Sequence, residues 1–199
     1  MGMGTFRALA LSLGLCLVGI AAAVGGCGRS GNAPRTATAA PPFAWLRPLA
    51  APHGWHSVRL SGGAVLTYPR GWRIVPGDRG TATAALRDGQ GGFLGYLNLT
   101  PRQGEEKQAN WASFRPRHNA EEGERAVTLQ ASANGLRFRG GQGACVQDAY
   151  TTVAGTRYTE IACLVGGGRA ESVIVGAAPS RDWAAQSPAI EQAISALQT

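Results

Sequence analysis

From about residue 53 onward, apolar and polar residues alternate in short runs that end at glycine, proline or asparagine. Alternation of this kind, rich in β-branched and aromatic residues, is typical of strands buried on one face. The pattern predicts strands at 64–68 and 72–75 as a first hairpin, at 81–86, at 93–100, at 127–133 and 136–139 as a hairpin around Asn134-Gly135, at 143–153 and 156–165 around Ala154-Gly155, and at 171–177. Because short turns join these strands, we expect an antiparallel meander.

Two segments have the spacing of helices. Residues 105–114 place Trp111 and Phe114 on one side, and Pro116 is expected to stop this helix. A last helix is predicted from Ser187-Pro188, with Ile190, Ile194 and Leu197 at helical spacing. The fold class is therefore α+β, an antiparallel sheet with the C-terminal helix covering one face.

The amino terminus has a different pattern. Arg7 precedes an apolar run from Ala8 to Val24, and Gly25 and Gly26 lead to Cys27. A basic residue, an apolar stretch and a small-residue cleavage site form a secretory signal peptide, which we assign to residues 1–26. An uncleaved membrane anchor or plain secretion are the alternatives.

The segment ending in Cys27 resembles the lipobox of bacterial lipoproteins. The resemblance implies lipidation of Cys27, with diacylglyceryl and palmitate-type acyl chains, and tethering of the protein to the outer face of the cell membrane. Two or more acyl chains make such attachment stable. The membrane, reached through this anchor, is thus one expected partner.

Residues 27–52 are rich in Ala, Pro, Ser, Thr and Gly, which predicts a flexible tether. Phe43, Trp45 and Leu46 interrupt it, so its end can pack back on the domain. Residues 53–199 have the length of a single domain with a full-sized core.

The chain carries a net charge of +7, mostly from arginine. Basic charge on an exported protein can attract anionic lipids or wall polymers. No block of like charges is present, so dispersal over solvated strand faces is the simpler interpretation. Nucleic acid is not an expected partner in this compartment.

Cys145 and Cys163 are equally distant from the turn at Ala154. In a symmetric hairpin they would face each other, close enough for a disulfide in an oxidising compartment. A redox couple or a metal site is the alternative, but there is no Cys-x-x-Cys motif and no nearby histidine. We therefore expect a structural disulfide.

The same register places Asp148 opposite Glu160. Two ionised carboxylates in this position would repel each other. Either nearby arginines such as Arg139 or Arg157 neutralise them, or the pair shares a proton or binds a cation with one raised pKa. The first alternative is the simpler one.

Other candidates for chemistry are weak. His53 and His56 lie in a predicted loop without a nearby carboxylate, and two histidines alone rarely hold a metal. His118 is expected at the surface. There is no Gly-x-Ser-x-Gly motif, and the glycine clusters do not match nucleotide-binding loops. We predict no catalytic residues, no metal site and no cofactor.

The segment Tyr68-Pro69-Arg70-Gly71-Trp72, the later meander, the step Ala177-Ala178-Pro179 and the last helix together resemble the PsbP-like fold. The segments around Cys145 and Cys163 also resemble small actinobacterial lipoproteins of unassigned activity. This resemblance covers about residues 60–199 and implies a non-catalytic binding or assembly module.

The functional hypothesis is a lipid-anchored module of the cell envelope that contacts a protein or a glycan. The alternative is a carrier of a small apolar ligand, such as an envelope lipid, held between sheet and helix. An apolar cavity in the core would favour the carrier, whereas a solid core with an exposed aromatic and arginine surface would favour the binding module. An enzyme is the weakest hypothesis.

Overall fold

A computed structural model describes residues 40–167 and 171–199, so the predicted signal peptide and Cys27 lie outside the described residues. The elements, in chain order, are β1 (His56–Arg59), β2 (Val65–Tyr68), β3 (Arg73–Val75), β4 (Ala82–Arg87), β5 (Phe93–Pro101), a 3-10 turn (Gln108–Asn110), α1 (Trp111–Glu121), β6 (Arg125–Phe138), β7 (Gly141–Thr151), β8 (Arg157–Gly167), β9 (Glu171–Pro179) and α2 (Trp183–Ser195).

Strands β3 to β9 form an antiparallel sheet in the order β3-β4-β5-β9-β8-β7-β6. Strands β1 and β2 form a separate antiparallel hairpin. The helix α2 and the β1–β2 hairpin pack on one face of the sheet, and α1 packs on the other. The predicted α+β class, with an antiparallel sheet covered by the C-terminal helix, is confirmed.

The two faces follow from strand alternation. On β8, Ile161 and Cys163 belong to the core beneath α2, whereas Ala162 and Leu164 pack with Trp111 of α1. Successive side chains of a strand point to opposite faces, so a strand buried on both faces is apolar at nearly every position. Glu160 has the parity of Ala162 and therefore lies on the α1 face.

The α2 face is closely packed. Ile190, Ile194 and Leu197 are fully buried against the sheet. At Gly176 of β9 the helix approaches so closely that a methyl group would overlap Ile190 Cγ2. A glycine at this position therefore permits direct contact between helix and sheet.

The described end of the predicted tether, residues 40–52, packs on this side. Phe43 is buried in the core, with Trp45 and Leu46 against it. The amide of Leu49 donates to the Ser195 carbonyl at the end of α2. The three apolar residues that interrupt the tether composition thus contact the domain. None of the described helices has the length and apolar character needed to cross a membrane.

Two predicted hairpins are wrong. Strands β2 and β3 flank the expected turn but pair with β1 and β4, respectively, in different sheets. Asn134-Gly135 lies within β6, where the register with β7 shifts between Ala133 and Leu136. Gly135 has φ +68°, so its left-handed conformation forms a bulge in a continuous strand and not a two-residue turn.

Both predicted helices begin or end elsewhere. Pro116 lies inside α1 and Pro188 inside α2, each after the first turn. A proline there removes one helical hydrogen bond, but tertiary contacts on both sides of it hold the helix. In α1 these contacts come from Trp111 before the proline and Asn119 after it, both buried.

Candidate functional site

Helix α1 covers only part of its face of the sheet, because it lies over β6 and β7. Beside it, over β4, β5 and β9, is a solvent-accessible cleft of about 470 Å³. The cleft is lined by Gly77, Asp78, Thr81, Thr83, Phe93, Tyr96, Asn98, Thr100, Gln103, Glu106, Trp111, Phe114, Arg115, His118, Glu122, Val173 and Val175. Its volume is within the range of small-ligand sites in proteins.

Helix α1 supplies one wall of the cleft. The indole Nε1 of Trp111 donates to the Ala162 carbonyl at 2.9 Å and fixes the helix on β8. Phe114 stacks between Trp111 and His118, with ring centroids 5.9 and 5.7 Å apart. Glu122 continues this row and lies 3.2 Å from His118 Nε2. The wall is therefore aromatic, with an ionisable pair at its end.

A buried polar network lies behind the inner end of the cleft, centred on Glu160. Arg115 donates to both of its oxygens, from Nε to Oε1 at 2.7 Å and from Nη2 to Oε2 at 2.9 Å. The Tyr150 hydroxyl donates to Oε2 at 3.3 Å, and Asn119 Nδ2 donates to Oε1 at 3.4 Å. Bidentate, charge-assisted bonding of this kind holds a carboxylate in one orientation.

Asp148 completes the network. Asn119 Nδ2 also donates to Asp148 Oδ2 at 3.2 Å, while Asp148 Oδ1 is buried with no hydrogen-bond partner among the described residues. Burial, and then the neighbouring Glu160 charge, raise the pKa of Asp148 to about 7. Near neutral pH this carboxyl group is therefore partly protonated, next to an ion pair.

Tyr96 connects the cleft with this network. Its ring lines the cleft, and its hydroxyl lies 3.4 Å from the Tyr150 hydroxyl. Burial and the Glu160 charge raise the pKa of both phenols, so both stay protonated and can donate hydrogen bonds. The Tyr96 hydroxyl is therefore two hydrogen bonds away from Glu160.

The predicted cysteine pair is present. Cys145 and Cys163 are direct partners in the β7–β8 register and form a disulfide with an S–S distance of 2.06 Å. Both are buried beneath α2, on the face opposite to the Asp148–Glu160 network. The disulfide is therefore part of the core and does not contact the cleft.

The predicted pairing of Asp148 with Glu160 is also present in the register. The expected neutralisation by Arg139 or Arg157 is wrong. Both arginines are exposed at strand ends, and the ion pair with Glu160 comes from Arg115 of α1. Both expected alternatives hold in part: an arginine neutralises Glu160, and the pKa of Asp148 is raised.

The three histidines do not all lie in the surroundings that the sequence predicted. His53 is exposed, and His56 begins β1 with its ring 5.6 Å from that of Tyr68. His118, expected as a surface residue, lies in α1 and is half-buried in the cleft wall.

Sequence reasoning missed Arg115 and Asn119. The spacing Trp111-x-x-x-Arg115-x-x-x-Asn119 was the available signal, since residues four apart share a helix face. Because the predicted helix stopped at Pro116, Asn119 was not placed on the same helix face as Trp111 and Arg115.

No protein-family model and no curated protein sequence matches the chain. Solved structures resemble it in fold. A protein of unknown function from Pseudomonas aeruginosa has 17% identity, covering 73% of this chain and 96% of that one, with a TM-score of 0.49. LpqN, which is involved in cell envelope biogenesis of Mycobacterium tuberculosis, has 14% identity, covering 72% of this chain and 89% of that one, with a TM-score of 0.41.

The cyanobacterial PsbP of Synechocystis has 12% identity, covers 88% of this chain and 98% of its own, and has a TM-score of 0.52. Sequence identities this low support a likeness in fold and nothing further. The α+β domain of this chain has a PsbP-like fold.

Proposed function

We propose that the protein is a non-catalytic binding module of the cell envelope, attached to the outer face of the membrane through Cys27, and that it binds its ligand in the cleft beside α1. The observation that carries the proposal is the cleft itself: an open, aromatic and polar groove with a rigid buried network behind it.

Two features support the envelope location. The residues before Cys27 have the pattern of a lipoprotein signal. The buried Cys145–Cys163 disulfide fits an exported protein, because structural disulfides persist in oxidising compartments.

The cleft lining supports binding over catalysis. Its side-chain hydroxyl groups belong to threonine and tyrosine, and Thr83 Oγ1 already accepts a hydrogen bond from Asn98 at 2.8 Å. His118, a natural general base, lies beside Glu122 and not beside one of these hydroxyls. A nucleophile activated by a base needs the two within hydrogen-bonding distance.

The carrier alternative receives less support. It requires space between the sheet and the terminal helix, where Ile190 and Ile194 are fully buried and Gly176 permits direct contact. An open cleft with polar side chains on its floor suits a ligand with polar groups better than a lipid chain.

Attachment is tested by the mass and location of the protein in a bacterial host that processes lipoproteins. We expect the processed protein in the membrane fraction, with the intact mass of residues 27–199 plus a diacylglyceryl group. Cys27→Ala should lose the lipid mass. An unprocessed, unlipidated parent protein would overturn the anchor.

Binding is tested by adding a soluble digest of bacterial wall material to the purified full-length protein. Phe93 at the cleft mouth and Val153 at the β7–β8 turn are both exposed apolar residues, at 37% and 74%. We expect Phe93→Ser to weaken binding and Val153→Ser, which is outside the cleft lining, to leave it unchanged. Equal effects of the two variants, or no binding by the parent, would contradict the proposed site.

A further inference from the structure

The inner end of the cleft contains the guanidinium of Arg115, some of whose hydrogen-bond donors have no partner among the described residues. Arg115 binds Glu160 through Nε and Nη2, and its Nη1 makes no hydrogen bond within the described residues. Its side chain is 13% exposed and lines the cleft. A guanidinium has five N–H donors in a fixed fork, so its remaining donors are available to an acceptor in the cleft.

The rest of the cleft has the opposite charge. Asp78, Glu106 and Glu122 line it, although the whole chain has a net charge of +7. Glu106 accepts from the Gly104 amide at 2.6 Å, and Glu122 lies beside His118, so both carboxylates are held by neighbours. Asp78 is exposed. These groups favour a cation near the walls of the cleft.

Between the charged groups the walls are aromatic. Phe93 and Phe114 line the cleft together with Tyr96. Aromatic faces accommodate apolar side chains, and they also attract ammonium groups. The volume of about 470 Å³ suits a ligand of two or three amino-acid residues.

From this arrangement, and resting on the proposed function, we infer that the ligand is a short zwitterionic peptide, with its carboxylate on Arg115 and its ammonium group among the carboxylates of Asp78, Glu106 and Glu122. The peptide is either free or the peptide portion of a wall fragment.

Singly charged ligands fit less well. A purely anionic ligand would be repelled by the three carboxylates of the lining. A purely cationic ligand would leave the remaining Arg115 donors without an acceptor and would place like charges together. A zwitterion offers an acceptor to Arg115 and a cation to the carboxylates of the lining.

The test is isothermal titration of the full-length protein in detergent with alanyl-phenylalanine, its C-terminal amide and its N-acetyl derivative. We expect the free dipeptide to bind, and each capped form to bind at least about tenfold more weakly, because each loses one charged partner. A capped form that binds as tightly as the free dipeptide would overturn the zwitterion assignment.

Matched variants test the two charged contacts of the ligand. Arg115→Lys keeps a charge for Glu160 but removes the planar fork, and should weaken binding of the dipeptide about tenfold. Arg137→Lys, which is exposed on β6 and does not line the cleft, should have no effect. Asp78→Asn should weaken the free dipeptide but not its N-acetyl form, whereas Glu121→Gln should change neither. Equal effects within either pair of variants would overturn the assignment.

Two further probes separate this inference from the proposed function. A wall fragment whose peptide is linked to a disaccharide, and which carries a free side-chain ammonium group and a free carboxylate, should bind more tightly than the free dipeptide if the wall is the source, and no more tightly if free peptides are. A neutral N-acetylglucosamine oligomer should not bind in the cleft. If it binds there and the dipeptide does not, the peptide assignment fails while the cleft remains a binding site.

Discussion

Asp148 and Glu160 are direct partners on β7 and β8, and both are fully buried, yet Arg115 forms its ion pair with Glu160. The pair therefore contains one carboxylate held by a guanidinium and one carboxyl group whose pKa is raised to about 7. Because Arg115 belongs to α1 and also lines the cleft, the packing of α1 sets the charge at the inner end of the cleft.

Removing the Arg115 guanidinium should destabilise the folded protein. Arg115→Met leaves Glu160 buried without its cation, and we expect a loss of about 3–5 kcal/mol in the free energy of unfolding. Urea denaturation measures this loss. The control is Arg117→Met, whose side chain is 61% exposed and which should change stability by less than about 0.5 kcal/mol. Adding Glu160→Gln to Arg115→Met should restore part of the stability; if it does not, the pairing is not the cause.

The free energy of unfolding should fall as the pH rises, because Asp148 loses its proton. Its pKa is raised from 3.8 to about 7 on folding, so between these values the folded protein binds more protons than the unfolded chain. The contribution of Asp148 is therefore most favourable below pH 4 and is lost as the pH rises to about 7. The loss is at most on the order of 4 kcal/mol.

Asp148→Asn should remove this dependence and be more stable than the parent at pH 8. The measurement is thermal or urea unfolding from pH 4 to pH 8, with the exposed Asp78→Asn as the control that should follow the parent. A parallel pH profile for Asp148→Asn and the parent would show that Asp148 does not titrate in this range.

The disulfide should stabilise the sheet from the α2 side. Its cysteines are 18 residues apart, and closing a loop of this length contributes about 3 kcal/mol on the chain-entropy model. We expect the double variant Cys145→Ala/Cys163→Ala to lose about this amount. Mass spectrometry of the denatured parent should show a gain of two hydrogen atoms on reduction, and free thiols before reduction would contradict the bridge.

Gly176 should tolerate no side chain. A methyl group there would overlap Ile190 Cγ2, and overpacking of this kind costs about 1–3 kcal/mol. Gly176→Ala should therefore lower the melting temperature, and Ile190→Leu, which has no branch at Cβ, should recover part of the loss. Gly89→Ala is the control, because a Cβ there meets open space.

Local sequence signals predicted the β7–β8 register well. A short turn fixes the register of a hairpin, so the turn at Ala154-Gly155 determined the partners of Cys163 and Glu160 together. The assignment of β2 and β3 to different sheets depends on long-range packing, to which Pro69-Arg70-Gly71 gives no clue.

The site was less predictable than the fold. Asn119 reaches Asp148 and Glu160 only because α1 continues through Pro116 and lies over β6 and β7, a tertiary arrangement that overrides the local preference of proline. The cleft exists because the same helix leaves β4, β5 and β9 uncovered. Neither fact is written in a local pattern.

The most direct test of the binding site is an NMR titration of the isotope-labelled full-length protein with the soluble wall digest. If the cleft binds the ligand, the largest shifts will belong to the indole of Trp111 and to the backbone of Tyr96, Phe114 and His118. Shifts confined to another surface, such as the exposed strand β6, or no shifts at saturating digest, would contradict a binding site beside α1.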